Sequence, residues 1–284
     1  GVLPLVHMKS LLFGNALIST PILAYGGVAT EDAEVAASLE AEACALAEEL
    51  KVDYLELRNC QSRRPDWPTK QLYVTFRKTI ESDPEANLLA IPRKQRAMVR
   101  KGIKAGLDAE FDTSTDRFYA AYSESFRNLG TPVFSQAYFH RIREVFKDRS
   151  DILTVTHGGN LVSSVMSFYF RDEVLPYFGG GTALARELKG NDFMYWELMR
   201  HCCDRGVKVF DFGRSKQGTG TYSFKKNWGF EPTPLFYEYY LVKAKQVPDI
   251  SPMNPKYRMF IEAWKRLPLP VANRIGPWLA RNLG

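Results

Sequence analysis

The chain has 284 residues, 45% of them hydrophobic and 25% charged, with a formal net charge of +6. That length is too great for one small domain and comfortable for two, and the composition is that of a soluble globular protein. No apolar run approaches the roughly 20 residues needed to span a bilayer as a helix. The opening Gly1-Val2-Leu3-Pro4-Leu5-Val6 has neither an initiating Met nor the pattern of a secretory signal. It reads as a strand already inside a domain, so the natural protein is expected to begin further upstream. Cys44, Cys60, Cys202 and Cys203 have no metal-ligand spacing. They point to a reduced, cytoplasmic setting without a bound metal.

In chain order, Leu3–His7 and Leu17–Tyr25 are short apolar runs broken by Pro and Gly, consistent with strands or irregular segments. Thr30-Glu31-Asp32 opens an Ala- and Glu-rich helix to Leu50, with Thr30 or Asp32 as its cap. Val52–Leu57 and Leu72–Phe76 read as strands. Pro92 begins a helix to about Leu107 whose stretch 93–104 carries only basic charge: Arg93, Lys94, Arg96, Arg100, Lys101 and Lys104. It is expected to link two domains and to face a phosphate-bearing partner; a plain solvated linker is the alternative.

A second unit follows. Asp116–Leu129 and Gln136–Phe146 are amphipathic helices. Asp151–Thr156, Leu161–Phe170 and Val174–Phe178 are consecutive strands, the first two joined by the tight turn His157–Asn160. Phe193–Gly206 is a helix, Val207–Phe212 a strand and Leu235–Val242 a final aromatic strand. From Pro248 the chain is basic and punctuated by Pro and Trp. This tail is expected either to pack back on the domain or to touch a membrane surface peripherally.

The most specific stretch is Val209-Phe210-Asp211-Phe212-Gly213-Arg214, then Gly218-Thr219-Gly220 and Tyr222-Ser223-Phe224-Lys225-Lys226-Asn227-Trp228-Gly229-Phe230. A strand ends in Asp, a glycine loop follows, and a Phe-Lys turn runs to Gly-Phe. Here the chain resembles the FemABX aminoacyltransferases, a branch of the GNAT superfamily. Tyr177–Thr182, Asn191–Trp196 and Arg93–Gly106 fit the same resemblance. Within it the chain looks most like the FemAB-like proteins associated with exosortase (PEP-CTERM) and exopolysaccharide clusters.

The resemblance implies a mixed α/β (α+β) fold of tandem GNAT-like (acyl-CoA N-acyltransferase) domains, the first incomplete at its N-terminus. The expected division is 1–92 for the first domain, 93–111 for the basic interdomain helix, 112–246 for the second domain and 247–284 for the tail. It also implies transfer of an acyl group, usually aminoacyl from charged tRNA, to an amine of an envelope glycan or its lipid-linked precursor.

Such a donor is already activated, so no Ser or Cys nucleophile and no resident cofactor are needed. Positioning, proton removal and oxyanion stabilisation carry the reaction. Lys225 is the candidate for holding phosphate or developing negative charge; an ordinary solvated lysine is the alternative. Asp211 is the candidate proton acceptor, or else a cap for the next loop's amides. Arg214 offers a planar fork for phosphate or carboxylate, or pairs with a surface acid. Tyr177, Tyr222, Trp196 and Lys226 are further candidates for the substrate cleft, the aromatic ones with core packing as the alternative.

Acetyl-CoA-dependent GNAT enzymes wrap a pyrophosphate in a Gln/Arg-x-x-Gly-x-Gly/Ala loop. Ser215–Gly220 matches its glycines but has Ser215 in place of the first residue. Acyl-CoA or an acyl carrier is therefore the alternative donor, and a non-catalytic scaffold of polysaccharide assembly the alternative function.

Overall fold

A computed structural model describes residues 1–10, 14–247 and 255–281, which form thirteen strands and ten α-helices. In the first layer β1 (Leu5–Ser10), β2 (Gly14–Ser19), β3 (Tyr54–Asn59), β13 (Phe236–Leu241) and β4 (Thr69–Lys70) lie side by side in that order. β2 and β3 are parallel, joined by α1 (Ala33–Glu49). The Asp32 carboxylate starts α1 by accepting the amides of Glu34 and Val35, donors that the first turn leaves free. β2 stops at Ser19, so only the first part of the apolar run Leu17–Tyr25 is strand. Thr20 takes φ 47° and Pro21 has no N–H to give a ladder, so the chain turns out of the sheet there.

The second layer runs β11 (Ser215–Lys216), β5 (Tyr73–Thr79), β10 (Val209–Asp211), β9 (Glu173–Gly181), β8 (Asn160–Phe170), β7 (Ser150–His157) and β6 (Asp108–Phe111), with β12 (Pro232–Pro234) also paired to β5. β7 and β8 meet in the expected turn, where Gly158 and Gly159 hold φ of 54° and 79°, values that glycine adopts without a steric penalty. Side chains alternate across this sheet. Ile152 of β7 packs with Phe118, Tyr122 and Phe139 from α4 (Asp116–Leu129) and α5 (Gln136–Phe146). Leu153 and Val155 instead join Phe193, Leu198 and Cys202 from α7 (Gly190–Asp204). Helices therefore cover both faces. The remaining helices are α2 (Pro84–Ala90), α3 (Arg93–Lys104), α6 (Ala183–Leu188), α8 (Gly220–Asn227), α9 (Pro255–Lys265) and α10 (Leu269–Ala280).

Two strands cross between the layers. β5 precedes residue 92 but lies in the second sheet, antiparallel to β10, β11 and β12. β13 follows the second unit in the chain but completes the first sheet against β3. The sheets are thus not separated at residue 92, and residues 108–111, expected in the linker, form the edge strand β6. A strand's layer is decided by which neighbour can complete its ladder, which chain order does not reveal. α3 is not a free linker either. It packs on α7, where a Cβ on Gly102 would stand 2.7 Å from the Phe193 Cβ.

The C-terminal segment folds back as two helices on α4. Arg127 donates to the Leu267 carbonyl at 3.3 Å, and Asn273 to Ser123 Oγ at 3.3 Å. The parts of the expected tail at 248–254 and 282–284 lie outside the described residues.

Candidate active site

β10 and β9 run parallel, but their ladder holds only Val209↔Glu173 and Phe210↔Val174. β10 then ends at Asp211, while β9 continues to Gly181 paired with β8 alone. Asp211, Arg214 and Lys225 lie around this strand end, where Tyr25 and Tyr237 reach Asp211 and Arg214.

Asp211 is 3% exposed. Its Oδ2 accepts the Tyr25 hydroxyl at 2.7 Å and lies 3.7 Å from Arg77 Nε. Its Oδ1 accepts the Gly213 amide at 2.7 Å and faces the Thr75 hydroxyl at 3.4 Å. Tyr25 and Thr75 also contact each other through their hydroxyls. Burial pushes the Asp211 carboxyl above the usual range, against the downward pull of the Tyr25 and Gly213 hydrogen bonds and of Arg77. Asp211 therefore does cap the next loop, and it also binds Tyr25 from the other layer.

Lys225 lies on α8, whose N-cap Thr219 accepts the Tyr222 amide. It is a partly buried lysine, not a solvated one. Its ammonium donates to the carbonyls of Gly213 and Arg214, each at 3.0 Å. Burial lowers its pKa to about 7. Asp211 opposes that shift and the Arg214 charge adds to it. Arg214 has no acidic partner among its described contacts. It donates to the Tyr237 hydroxyl at 2.8 Å and lies over the Tyr73 ring.

Segment 20–25 forms the opposite wall. Tyr177 donates to the Ile22 carbonyl at 2.5 Å and Tyr237 to the Ala24 carbonyl at 3.0 Å. Behind it, buried Arg58 donates to Glu56 at 2.7 Å and to the carbonyls of Pro21 and, at 3.1 Å, Leu23. Arg58→Leu would take the ion-pair partner from the buried Glu56 carboxylate and free the segment that carries Tyr25. We expect it to cost about 3–5 kcal/mol in a denaturant titration.

The other candidates are placed less evenly. Tyr222 is partly buried with its ring edge-on to Phe76. Lys226 is exposed on the same helix. Trp196 is 4% exposed and packs within the core. The large ring on α7 is taken up by packing beneath the sheet. Tyr25, Thr75, Arg77 and Arg58 escaped the sequence reading, since Tyr25 lies 186 residues from Asp211. The neighbouring Gly26-Gly27 is the local signal that could have marked that stretch as a turn.

On α3, Arg93, Arg96, Arg100, Lys101 and Lys104 surround a shallow hollow of about 390 Å³; Lys94 is exposed outside it. Between the layers a second, apolar hollow of about 510 Å³ is lined by Met8, Ile22, Phe146, Leu175 and Tyr177, with Arg281 at its wall. Among the described residues no three His, Cys, Asp or Glu side chains are grouped to hold a metal ion. No described helix is long and apolar enough to cross a membrane, and the four cysteines are unpaired thiols.

Residues 93–226 match the family described as Acetyltransferase (GNAT) domain. No curated protein sequence matches the chain. Among solved structures, the chain is similar to FemX with a TM-score of 0.62 and 13% identity over 92% of this chain and 88% of that one. It is also similar to the DUF2156 C-terminal domain of a protein assigned as a lysylphosphatidylglycerol synthetase in Agrobacterium fabrum. There the TM-score is 0.59, with 11% identity over 83% and 79% of the two chains. A conserved protein of unknown function from Bacteroides thetaiotaomicron gives 0.51, with 9% identity over 80% and 79%. Identities this low speak for the fold alone. Together with the match over residues 93–226, they make this a mixed α/β protein of the GNAT fold.

Proposed function

We propose that the chain is an N-acyltransferase that moves an aminoacyl group from charged tRNA to an amine of a cell-envelope glycan, exopolysaccharide or lipid-linked precursor, in the manner of FemAB-type enzymes. The observation that carries this reading is a buried Asp211 at the end of β10 beside Lys225 of depressed pKa, whose ammonium sits on the carbonyls of Gly213 and Arg214. Such a pair suits proton transfer beside a developing oxyanion near neutral pH.

In the proposed step the acceptor amine attacks the donor's ester carbonyl carbon, forming the C–N bond as the C–O bond to the ribose breaks. The Asp211 carboxylate takes a proton from the amine and returns it to the leaving ribose oxygen. The Lys225 ammonium donates to the oxyanion. Arg214, Tyr177 and Tyr222 orient the substrates, with exposed Lys226 and the α3 cations Arg93, Lys94, Arg96, Arg100, Lys101 and Lys104 toward the donor's phosphates. Trp196 acts only through packing.

The acetyltransferase domain match favours a second reading, in which acyl-CoA is the donor. The test offers the protein labelled aminoacyl-tRNA and labelled acyl-CoA separately, each with amine-bearing envelope precursors and with or without ribonuclease. Ribonuclease-sensitive transfer from charged tRNA supports the first reading. Transfer from acyl-CoA alone replaces it with the second, and transfer from neither overturns both.

A further inference from the structure

α10 turns its small residues toward the protein. Ala272, Gly276 and Ala280 are its buried positions, and a Cβ on Gly276 would stand 3.0 Å from the Val133 amide nitrogen. Its large apolar residues face outward: Val271 is 43% exposed, Ile275 41% and Trp278 58%. α9 buries Trp264 at 3% exposure but leaves Met259 at 82% and Phe260 at 43%. A helix pair that served only to cover α4 would gain more by burying these side chains. Outward apolar residues in such density mark an interaction surface.

The charges give the sign of the partner. Residues 255–281 contain Lys256, Arg258, Lys265, Arg266, Arg274 and Arg281 against the single acid Glu262, which is already ion-paired with Lys265 at 2.8 Å. Residues 271, 274, 275, 278 and 281 recur at helical spacing, so Arg274 and Arg281 lie along the stripe of Val271, Ile275 and Trp278. The Arg281 guanidinium sits 5.8 Å from the Trp278 ring centre. An anionic bilayer satisfies both features. Its phosphates take the cations, while Trp and the aliphatic side chains enter the boundary with the acyl chains. At 11 and 12 residues neither helix reaches across a bilayer.

We propose that the α9–α10 pair is a docking element that lies in the surface of an anionic membrane. This does not depend on the acyl-transfer chemistry. Arg281 also belongs to the wall of the apolar hollow between the layers, so the docked face adjoins that opening.

The test is co-sedimentation of the protein with vesicles of phosphatidylcholine alone, or with phosphatidylglycerol added, at low and high salt. Binding is expected to the phosphatidylglycerol vesicles and to weaken with salt. The double variants Ile275→Ser/Trp278→Ser and Arg274→Glu/Arg281→Glu are each expected to reduce binding at least about tenfold. Their circular dichroism should match the wild type, because all four side chains are exposed. Arg93→Glu/Arg100→Glu on α3 is expected to bind as the wild type does. Absence of binding, equal binding to both vesicles, or binding that only the α3 variant reduces would each overturn the proposal.

Discussion

Asp211→Asn is expected to lower kcat/KM for the proposed acyl transfer by roughly 10²–10⁴-fold, the range typical for loss of a general base, which is the role proposed for Asp211. Asn keeps one accepting oxygen, which can retain the Gly213 amide, and its NH2 replaces the oxygen that faces Tyr25, whose hydroxyl can turn from donor to acceptor. The loss should therefore appear in rate more than in stability, and thermal unfolding of the variant separates the two. Tyr25→Phe tests the same carboxylate from the first layer. The Tyr25 hydroxyl donates to Asp211 and favours its charged form. Removing that donor raises the Asp211 pKa further, so the acidic limb of the kcat/KM profile should move to higher pH. A Tyr25→Phe enzyme with lower activity and an unmoved limb would leave Tyr25 with a packing role alone.

The second large effect belongs to Lys225, whose ammonium is placed to be both useful and costly. Its folded pKa of about 7 lies below the ordinary lysine value of 10.5. Activity that needs the charged form should fall as pH rises through about 7, and Lys225→Met should lose it by two orders of magnitude or more. Stability should move the other way. Between pH 7 and 10.5 the unfolded chain binds a proton here that the folded chain does not, so wild-type stability rises with pH across that window. Lys225→Met removes this dependence. Discounted for the partial exposure of Lys225, the variant should be roughly 3 kcal/mol more stable at pH 7, with the gap narrowing toward pH 9. Urea titrations of both proteins at several pH values measure that gap. A variant less stable than the wild type at pH 7 would show that the two carbonyl hydrogen bonds outweigh the burial of the charge.

The elements legible in the sequence are those whose signals are local. Asp32 caps α1 because its own carboxylate reaches the amides two and three residues on. α4 and α5 match their expected spans because their apolar faces repeat at helical spacing. The His157–Asn160 turn needs only two glycines in sequence. Short elements without periodicity, β4, β11 and β12, had no such signal, since two or three residues are held by their partners and not by their own propensities.

That Asp211 and Lys225 lie close together was legible for a related reason. They lie in one motif of strand, glycine loop and helix, close enough in sequence for Lys225 to reach the Gly213 carbonyl. That motif also pointed to the GNAT fold. Trp196 shows the limit of the same reasoning, because an aromatic side chain on a helix looks alike in sequence whether it lines a cleft or fills a core.

By itself, then, the sequence determined most of the longer helices and strands, the strand-end motif that holds Asp211, Arg214 and Lys225, and the basic face of α3. All of these depend on interactions spanning a few residues. Only the tertiary structure decided that β5 and β13 exchange layers, that Tyr25 and Thr75 meet Asp211, and that α10 turns its large apolar residues outward. Each is a contact between segments far apart in the chain, selected by completed ladders, satisfied buried polar groups and close packing.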